Sequence, residues 1–202
     1  MDVREPEMME RDDECAGRLR RRACLMAVGG LWACSSGPPA TTPRGPVFDA
    51  YAGGWPTIFD DQIDPAAVGM SLSDAEPADD PQLRPRVLEA ELVARVRVQT
   101  VTRESIGAQL RYLLTLEVGQ PPLTKPRWET ATIELRIEAG APAFTLVRGL
   151  DERMRGQTFV GFFRRFDEGG PQPVVHFHLT TDSAEVARAV EQIDAFDALS
   201  GG

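Results

Sequence analysis

The sequence predicts a mainly β domain with helices, of the α+β class, in its C-terminal part. Three stretches alternate apolar and polar residues with a period of two, which is typical of half-buried strands. Other stretches space their apolar residues every three or four positions, which is typical of amphipathic helices. The alternation starts at Val87, whereas residues 47–86 have no comparable period.

Five strands are predicted, and they lie at residues 87–99, 111–118, 132–138, Phe159–Phe166 and Val174–Leu179. A turn at Ser105–Gly107 precedes the second strand. Between the third and fourth strands, Pro142–Gly156 changes to helical spacing, and Gly156 is suitably placed to end that helix. The capping box Asp182-Ser183-Ala184-Glu185 then predicts a C-terminal helix.

This order of elements resembles the oligonucleotide/oligosaccharide-binding (OB) fold over roughly residues 87–180. The resemblance implies a small, five-stranded antiparallel barrel with a helix between strands 3 and 4. A helix-covered antiparallel sheet or a β-sandwich fits the same pattern, and both remain open as alternatives. The fold by itself implies no function, because one fold serves many.

Residues 18–34 have the charge and hydropathy order of an export signal. Four arginines between Arg18 and Arg22 precede the uncharged residues 23–33. As a helix this apolar run would rise only about 16 Å, roughly half the hydrocarbon thickness of a bilayer, so it is too short to span one. We therefore predict a signal peptide over residues 1–33, with an acidic preface over its first residues.

The end of this segment, Leu31-Trp32-Ala33-Cys34, resembles the lipobox of bacterial lipoproteins. The resemblance implies cleavage before Cys34 and acylation of that cysteine, for example with palmitate, which would attach the protein to a lipid bilayer. Ser35 follows the cysteine where an aspartate would favour the inner membrane. The expected location is therefore the outer membrane of a Gram-negative cell, facing the periplasm.

The remaining chain divides by composition into three parts. Residues 34–46 are rich in proline and small polar residues, and they predict a lipidated tether. Residues 47–86 combine aromatic side chains with glycine and proline, and this favours an irregular segment that packs on the domain behind it. Residues 87–202 form the predicted globular domain.

Composition limits the partners and the chemistry. The net charge of −9 disfavours nucleic acid and anionic headgroups as ligands. Cys15 and Cys24 fall in the predicted signal peptide, so Cys34 is the one cysteine expected in the mature chain. A disulfide within the mature chain and a thiolate zinc site are therefore excluded.

His176 and His178 are the only histidines, and they point to the same face of one strand. Two imidazoles at this spacing can chelate a divalent metal or act as acid and base, and Asp182 is the nearest candidate for a third ligand. The sequence nevertheless favours a solvent-facing strand surface whose polar positions are histidines. No metal ion or other cofactor is predicted.

Two further clusters of charge are candidate sites. Asp60, Asp61 and Asp64 lack the ligand spacing and the glycine of a calcium loop, so a solvated helix start or loop is favoured. Arg164 and Arg165 form a candidate anion site, because guanidinium groups suit carboxylates and phosphates. Pairing with nearby carboxylates of the same chain is the simpler interpretation.

The chain contains no phosphate-binding loop, no nucleophile elbow and no dinucleotide fingerprint. The leading interpretation is a non-catalytic, lipid-anchored binding or assembly module of the cell envelope, with an envelope protein as its partner. One alternative is a periplasmic metal-dependent hydrolase that uses His176 and His178. Another is a carbohydrate- or peptidoglycan-binding module in which sugars stack on the rings of Trp55, Tyr112 and Trp128.

Overall fold

A computed structural model describes residues 46–70 and 77–200 of the chain. The predicted signal peptide, Cys34 and the predicted tether up to residue 45 lie outside the described residues. Among the described residues, no helix has both the length and the hydropathy needed to cross a membrane.

The described residues form an α+β fold built on one six-stranded mixed sheet. The strands are β1 (Gln62–Ile63), β2 (Leu92–Ile106), β3 (Gln109–Val118), β4 (Thr132–Ile137), β5 (Thr158–Phe166) and β6 (Val174–Thr181). Their order across the sheet is β1-β6-β5-β2-β3-β4. Strand β1 runs parallel to β6, and all other neighbours are antiparallel.

Four α-helices accompany the sheet: α1 (Trp55–Ile58), α2 (Leu83–Glu89), α3 (Ala143–Met154) and α4 (Ala184–Ser200). Short 3-10 turns occur at Pro65–Val68 and Pro77–Asp79. The predicted helix between the third and fourth long strands is α3, and the predicted C-terminal helix is α4. At the start of α4, the Ser183 hydroxyl accepts the Val186 N–H at 3.2 Å, which is a helix cap.

The α+β class is confirmed, but the predicted five-stranded antiparallel OB-like barrel is not. The sheet has a sixth strand, β1, and it is not closed into a barrel. The first strand was also misplaced, because Val87 lies in α2 and the strand begins at Leu92. Leu83 and Val87 are buried together with Val186 and Val190 of α4, which explains why a helix forms there.

Each face of the sheet buries a separate apolar cluster. Helix α3 covers the face that carries Val96, Leu114, Phe163, Phe177 and other buried residues. Helices α2 and α4 cover the opposite face, which carries Val93, Val160, Phe162 and Phe166. The chain segment 46–70, which we call the arm, adds Phe59 to this second cluster and Ile63 to the first. The histidines of β6 lie on the second face, beside the arm.

Candidate functional site

Both histidines of the chain are buried where the arm runs alongside β6. The side chains keep the same face, as predicted, but His176 is only 6 % exposed and His178 only 3 %. The expectation of a solvent-facing histidine surface is therefore wrong. The reason is tertiary, because the arm lies along this part of β6 and brings aspartates onto the imidazoles.

His176 contacts a carboxylate with each ring nitrogen. Nδ1 lies 2.8 Å from Oδ2 of Asp61, and Nε2 lies 3.1 Å from Oε1 of Glu168 in the loop after β5. The ring also stacks on Tyr51, with the ring centroids 3.4 Å apart and the planes within 12° of parallel. These contacts fix the orientation of the imidazole.

The Tyr51 hydroxyl donates to the carbonyl of Phe59, within the arm. Burial, together with the negative charges of Asp61, Asp60 and Glu168, raises the pKa of the Tyr51 phenol well above its ordinary value. Tyr51 is therefore a neutral donor at physiological pH. It serves as a packing surface for His176 rather than as an ionised group.

His178 is held in a comparable way by two other aspartates of the arm. Nδ1 lies 2.9 Å from Oδ1 of Asp60, and Nε2 lies 3.5 Å from Oδ1 of Asp64. Burial acts to lower the pKa of His178, but the hydrogen bonds to Asp60 and Asp64 outweigh it, so the pKa is raised. For Asp64, burial acts to raise the pKa, yet the hydrogen bond with His178 leaves it lowered. The raised pKa of His178 and the lowered pKa of Asp64 both indicate an imidazolium paired with a carboxylate.

The three aspartates do lie in a loop and a helix start, since Asp64 directly precedes the 3-10 turn Pro65–Val68, but they are not solvated as the sequence favoured. They lie in the segment around β1, and each one contacts a histidine of β6. Asp61 has a φ angle of 51°, the one non-glycine residue with positive φ among those described. Such a left-handed conformation costs a residue with a side chain about 1–2 kcal/mol. The contacts of Asp61 compensate for this cost.

Sequence reasoning missed Arg86, a buried cation in the same network. Its side chain is 5 % exposed, and it contacts Asp60 at 3.4 Å and Asp80 more closely. Nε donates to the carbonyl of Ile58 at 2.8 Å. Nothing in the local pattern of α2 marks this arginine, because its partners come from other parts of the chain.

The arrangement does not favour the metal site considered from the sequence. Each of the four ring nitrogens faces a carboxylate oxygen. Asp182 is not near them and pairs instead with Arg95 at 2.9 Å. Across residues 46–70 and 77–200, no group of three or more His, Cys, Asp or Glu side chains is placed to hold a metal ion.

Beside His176 lies an open cleft of about 560 Å³. The arm contributes Tyr51 and Asp61 to its lining, and strands β3 and β4 contribute Arg111 and Arg136. Arg111 is engaged with Glu104 at 2.7 Å, whereas the side chain of Arg136 is 55 % exposed and its contact with Glu134 is 3.8 Å long. The cleft therefore presents both signs of charge.

Arg164 and Arg165, the candidate anion site, lie on opposite faces of β5. Arg164 contacts Glu89 at 2.8 Å and Asp49 at 2.6 Å, and its guanidinium lies over the ring of Trp55 at 4.0 Å. Arg165 contacts Glu91 at 2.7 Å. Both guanidinium groups are thus engaged with carboxylates of the chain, as the simpler interpretation has it.

The three aromatic residues considered for sugar stacking do not share a surface. Tyr112 is buried in the core. Trp55 packs against the second cluster and Trp128 against the first, so they lie on different faces of the sheet. Arg164 covers Trp55, and Arg165 lies over Trp128 at 4.8 Å. Trp128 also lines a separate cavity of about 540 Å³.

Comparison of the chain with protein-family models, with curated proteins and with solved structures gives no match.

Proposed function

We propose that this chain is an exported, lipid-anchored, non-catalytic binding or assembly module of the Gram-negative cell envelope. The observation that carries the proposal is the arginine-rich segment, the short apolar run and the small residue before Cys34. In this proposal the protein is attached to the outer membrane by acyl chains on Cys34 and faces the periplasm. One acyl chain gives only marginal binding, and additional chains make it durable.

The geometry of the described residues supports a binding role rather than catalysis. His176 and His178 have carboxylates at both ring nitrogens and connect the arm to β6. The cleft beside His176 offers both Asp61 and Arg136 to a partner. Its mixed charge favours a polar segment of another envelope protein over nucleic acid.

Metabolic labelling with a radioactive fatty acid tests the anchor. We expect label in the wild-type chain and none in Cys34→Ala, because the acyl acceptor is lost. Cys24→Ala is the matched control, since it removes a cysteine of the same region and should keep the label. Equal labelling of Cys34→Ala and the wild type would end the lipoprotein proposal.

Membrane fractionation tests the location. We expect the wild type in the outer-membrane fraction and Ser35→Asp in the inner-membrane fraction, because aspartate after the lipidated cysteine resembles the inner-membrane pattern. Ser36→Asp serves as control and should not move the protein. Recovery of wild-type protein from the soluble cytosolic fraction, with its N terminus intact, would contradict the proposal.

A further inference from the structure

The arm is attached to the sheet by very little backbone pairing. Strand β1 has two residues, and its register pairs Gln62 with His178 and Ile63 with Leu179. The Asp61 N–H donates to Phe177 O at 2.9 Å and the Asp64 N–H donates to Leu179 O at 2.8 Å. A strand of two residues gains little stability from its backbone hydrogen bonds. Side-chain contacts therefore contribute much of the stability with which the arm is held.

The charged groups that face His178 come from two elements. Asp60 and Asp64 approach from the arm, and Arg86 of α2 contacts the far oxygen of Asp60 at 3.4 Å. From β5 the ring of Phe162 packs at 6.3 Å and brings no charge. The imidazole is therefore the one titrating group between two arm carboxylates.

The number of protons on this ring decides how many contacts it can make. A protonated imidazole donates from both nitrogens, so it can serve Asp60 and Asp64 together. A neutral imidazole donates from one nitrogen only, and the other then presents a lone pair to a carboxylate. The second contact becomes repulsive, and His178, which is 3 % exposed, has little water to compensate.

We propose that His178 is a proton-operated latch, which holds the arm against β6 when the ring is charged and loosens it when the ring is neutral. The direction of the pH dependence follows from the shifted pKa of His178. The folded-state pKa of His178 is raised, because hydrogen bonds to the aspartates outweigh burial. The stabilisation is then complete below the unfolded-state pKa, about 6.5, and is lost as the pH rises through the folded-state value.

The latch changes local opening and does not release the arm completely. Phe59 and Ile63 are fully or almost fully buried and remain as apolar anchors of the arm. Opening would nevertheless alter the cleft beside His176, since Tyr51, Asp60 and Asp61 of the arm line it. Proton release at His178 would thereby alter the surface that a partner meets.

Amide hydrogen exchange on the full chain tests the latch. Peptides that contain the Asp61 and Asp64 amides are followed at about pH 5.5 and about pH 8.5, on either side of the ordinary histidine pKa. After correction for intrinsic exchange rates, we expect their protection in the wild type to fall severalfold at the higher pH, because the raised pKa of His178 makes the closed arm less favourable as the ring loses its proton. Protection of β3 amides that exchange through global unfolding should fall by no more than the protection of the arm.

Two variants separate the latch from a general loss of packing. His178→Gln cannot be protonated, and we expect equally low arm protection at both pH values. His176→Gln is the matched control, which should weaken the arm but keep the fall with pH. If His178→Gln does not fold, Asp64→Asn replaces it. In Asp64→Asn, the decrease in arm protection between the two pH values should be smaller than in the wild type.

Equal amide protection of the wild-type arm at both pH values would overturn the proposal. It would also be overturned if arm protection in His178→Gln or Asp64→Asn fell with pH as much as in the wild type. The readout does not depend on acylation of Cys34, so the latch and the proposed anchor can fail separately.

Discussion

Asp61 and His176 are separated by 115 positions in the chain, yet Oδ2 of Asp61 lies 2.8 Å from Nδ1 of His176. The other carboxylate oxygen accepts the Phe177 N–H at 3.2 Å. The carbonyl of Asp61 accepts the Ala143 N–H at 3.1 Å, at the start of α3. One residue thus joins the arm, β6 and α3.

Asp61→Ala should lower the free energy of unfolding by about 2–4 kcal/mol, measured by urea denaturation. The buried Phe177 N–H and the His176 ring both lose their acceptor, and alanine tolerates the left-handed backbone poorly. Asp61→Asn should cost less, about 1–2 kcal/mol, because its amide oxygen still accepts and asparagine adopts positive φ more readily. An Asn variant less stable than the Ala variant would contradict this account.

Gly161 has no room for a side chain in the middle of β5. A Cβ atom there would lie 2.3 Å from Cζ of Phe163 and 3.0 Å from Cδ2 of Leu179, both of them buried side chains. Gly161→Ala should therefore destabilise the protein by about 2–3 kcal/mol in urea denaturation. At Gly54 an added Cβ meets no atom within 4 Å, so Gly54→Ala should stay within about 0.5 kcal/mol of the wild type.

The strands that the sequence predicted well are those with a sustained period of two. The alternation located β3 and β4 within a few positions. Strands β5 and β6 are largely buried on both faces and were predicted instead as two short strands joined by the loop 167–173. The alternation that starts at Val87 continues without a break into β2, so it did not mark the boundary between α2 and the strand. Leu83 and Val87 pack with residues of α4, and this packing favours the helix. Strand β1 has two residues and no period, so only tertiary pairing reveals it, and with it the mixed sheet.

The candidate site was predictable residue by residue but not as an assembly. Strand periodicity placed His176 and His178 on one face, and composition marked Asp60, Asp61 and Asp64 as a cluster. No local pattern says that a segment more than a hundred positions earlier covers those histidines. Whether a polar strand face is buried depends on whether another segment covers it. The sequence alone therefore favoured a solvent-facing surface for His176 and His178.

Arg86 tests how much the buried charge network contributes. Arg86→Met keeps the length of the side chain but leaves Asp60, Asp80 and the carbonyl of Ile58 without their cation. Removing one partner of a buried pair costs about 3–5 kcal/mol, and the partial exposure of the two aspartates reduces this to about 2–4 kcal/mol. The exposed Arg103 is the control, and Arg103→Met should change the midpoint of urea denaturation little. A stability of Arg86→Met equal to that of Arg103→Met would show that the network is dispensable.

The pH dependence of global stability should follow the pair of His178 and Asp64. The pKa of Asp64 is lowered in the folded protein, so its contribution is present above the unfolded-state value, about 3.8, and is lost as the pH falls through the folded-state value. The pKa of His178 is raised, so its contribution is lost as the pH rises through the folded-state value. We therefore expect the free energy of unfolding to be greatest between about pH 4 and about pH 6.5 and to decline on both sides.

His178→Gln should remove the decline on the alkaline side, and Asp64→Asn should remove much of the decline on the acid side, both measured by urea denaturation at a series of pH values. A wild-type protein more stable at pH 9 than at pH 6 would contradict the assignment of a charged pair, because the stabilisation by the His178 imidazolium decreases as the pH rises above the unfolded-state value, about 6.5.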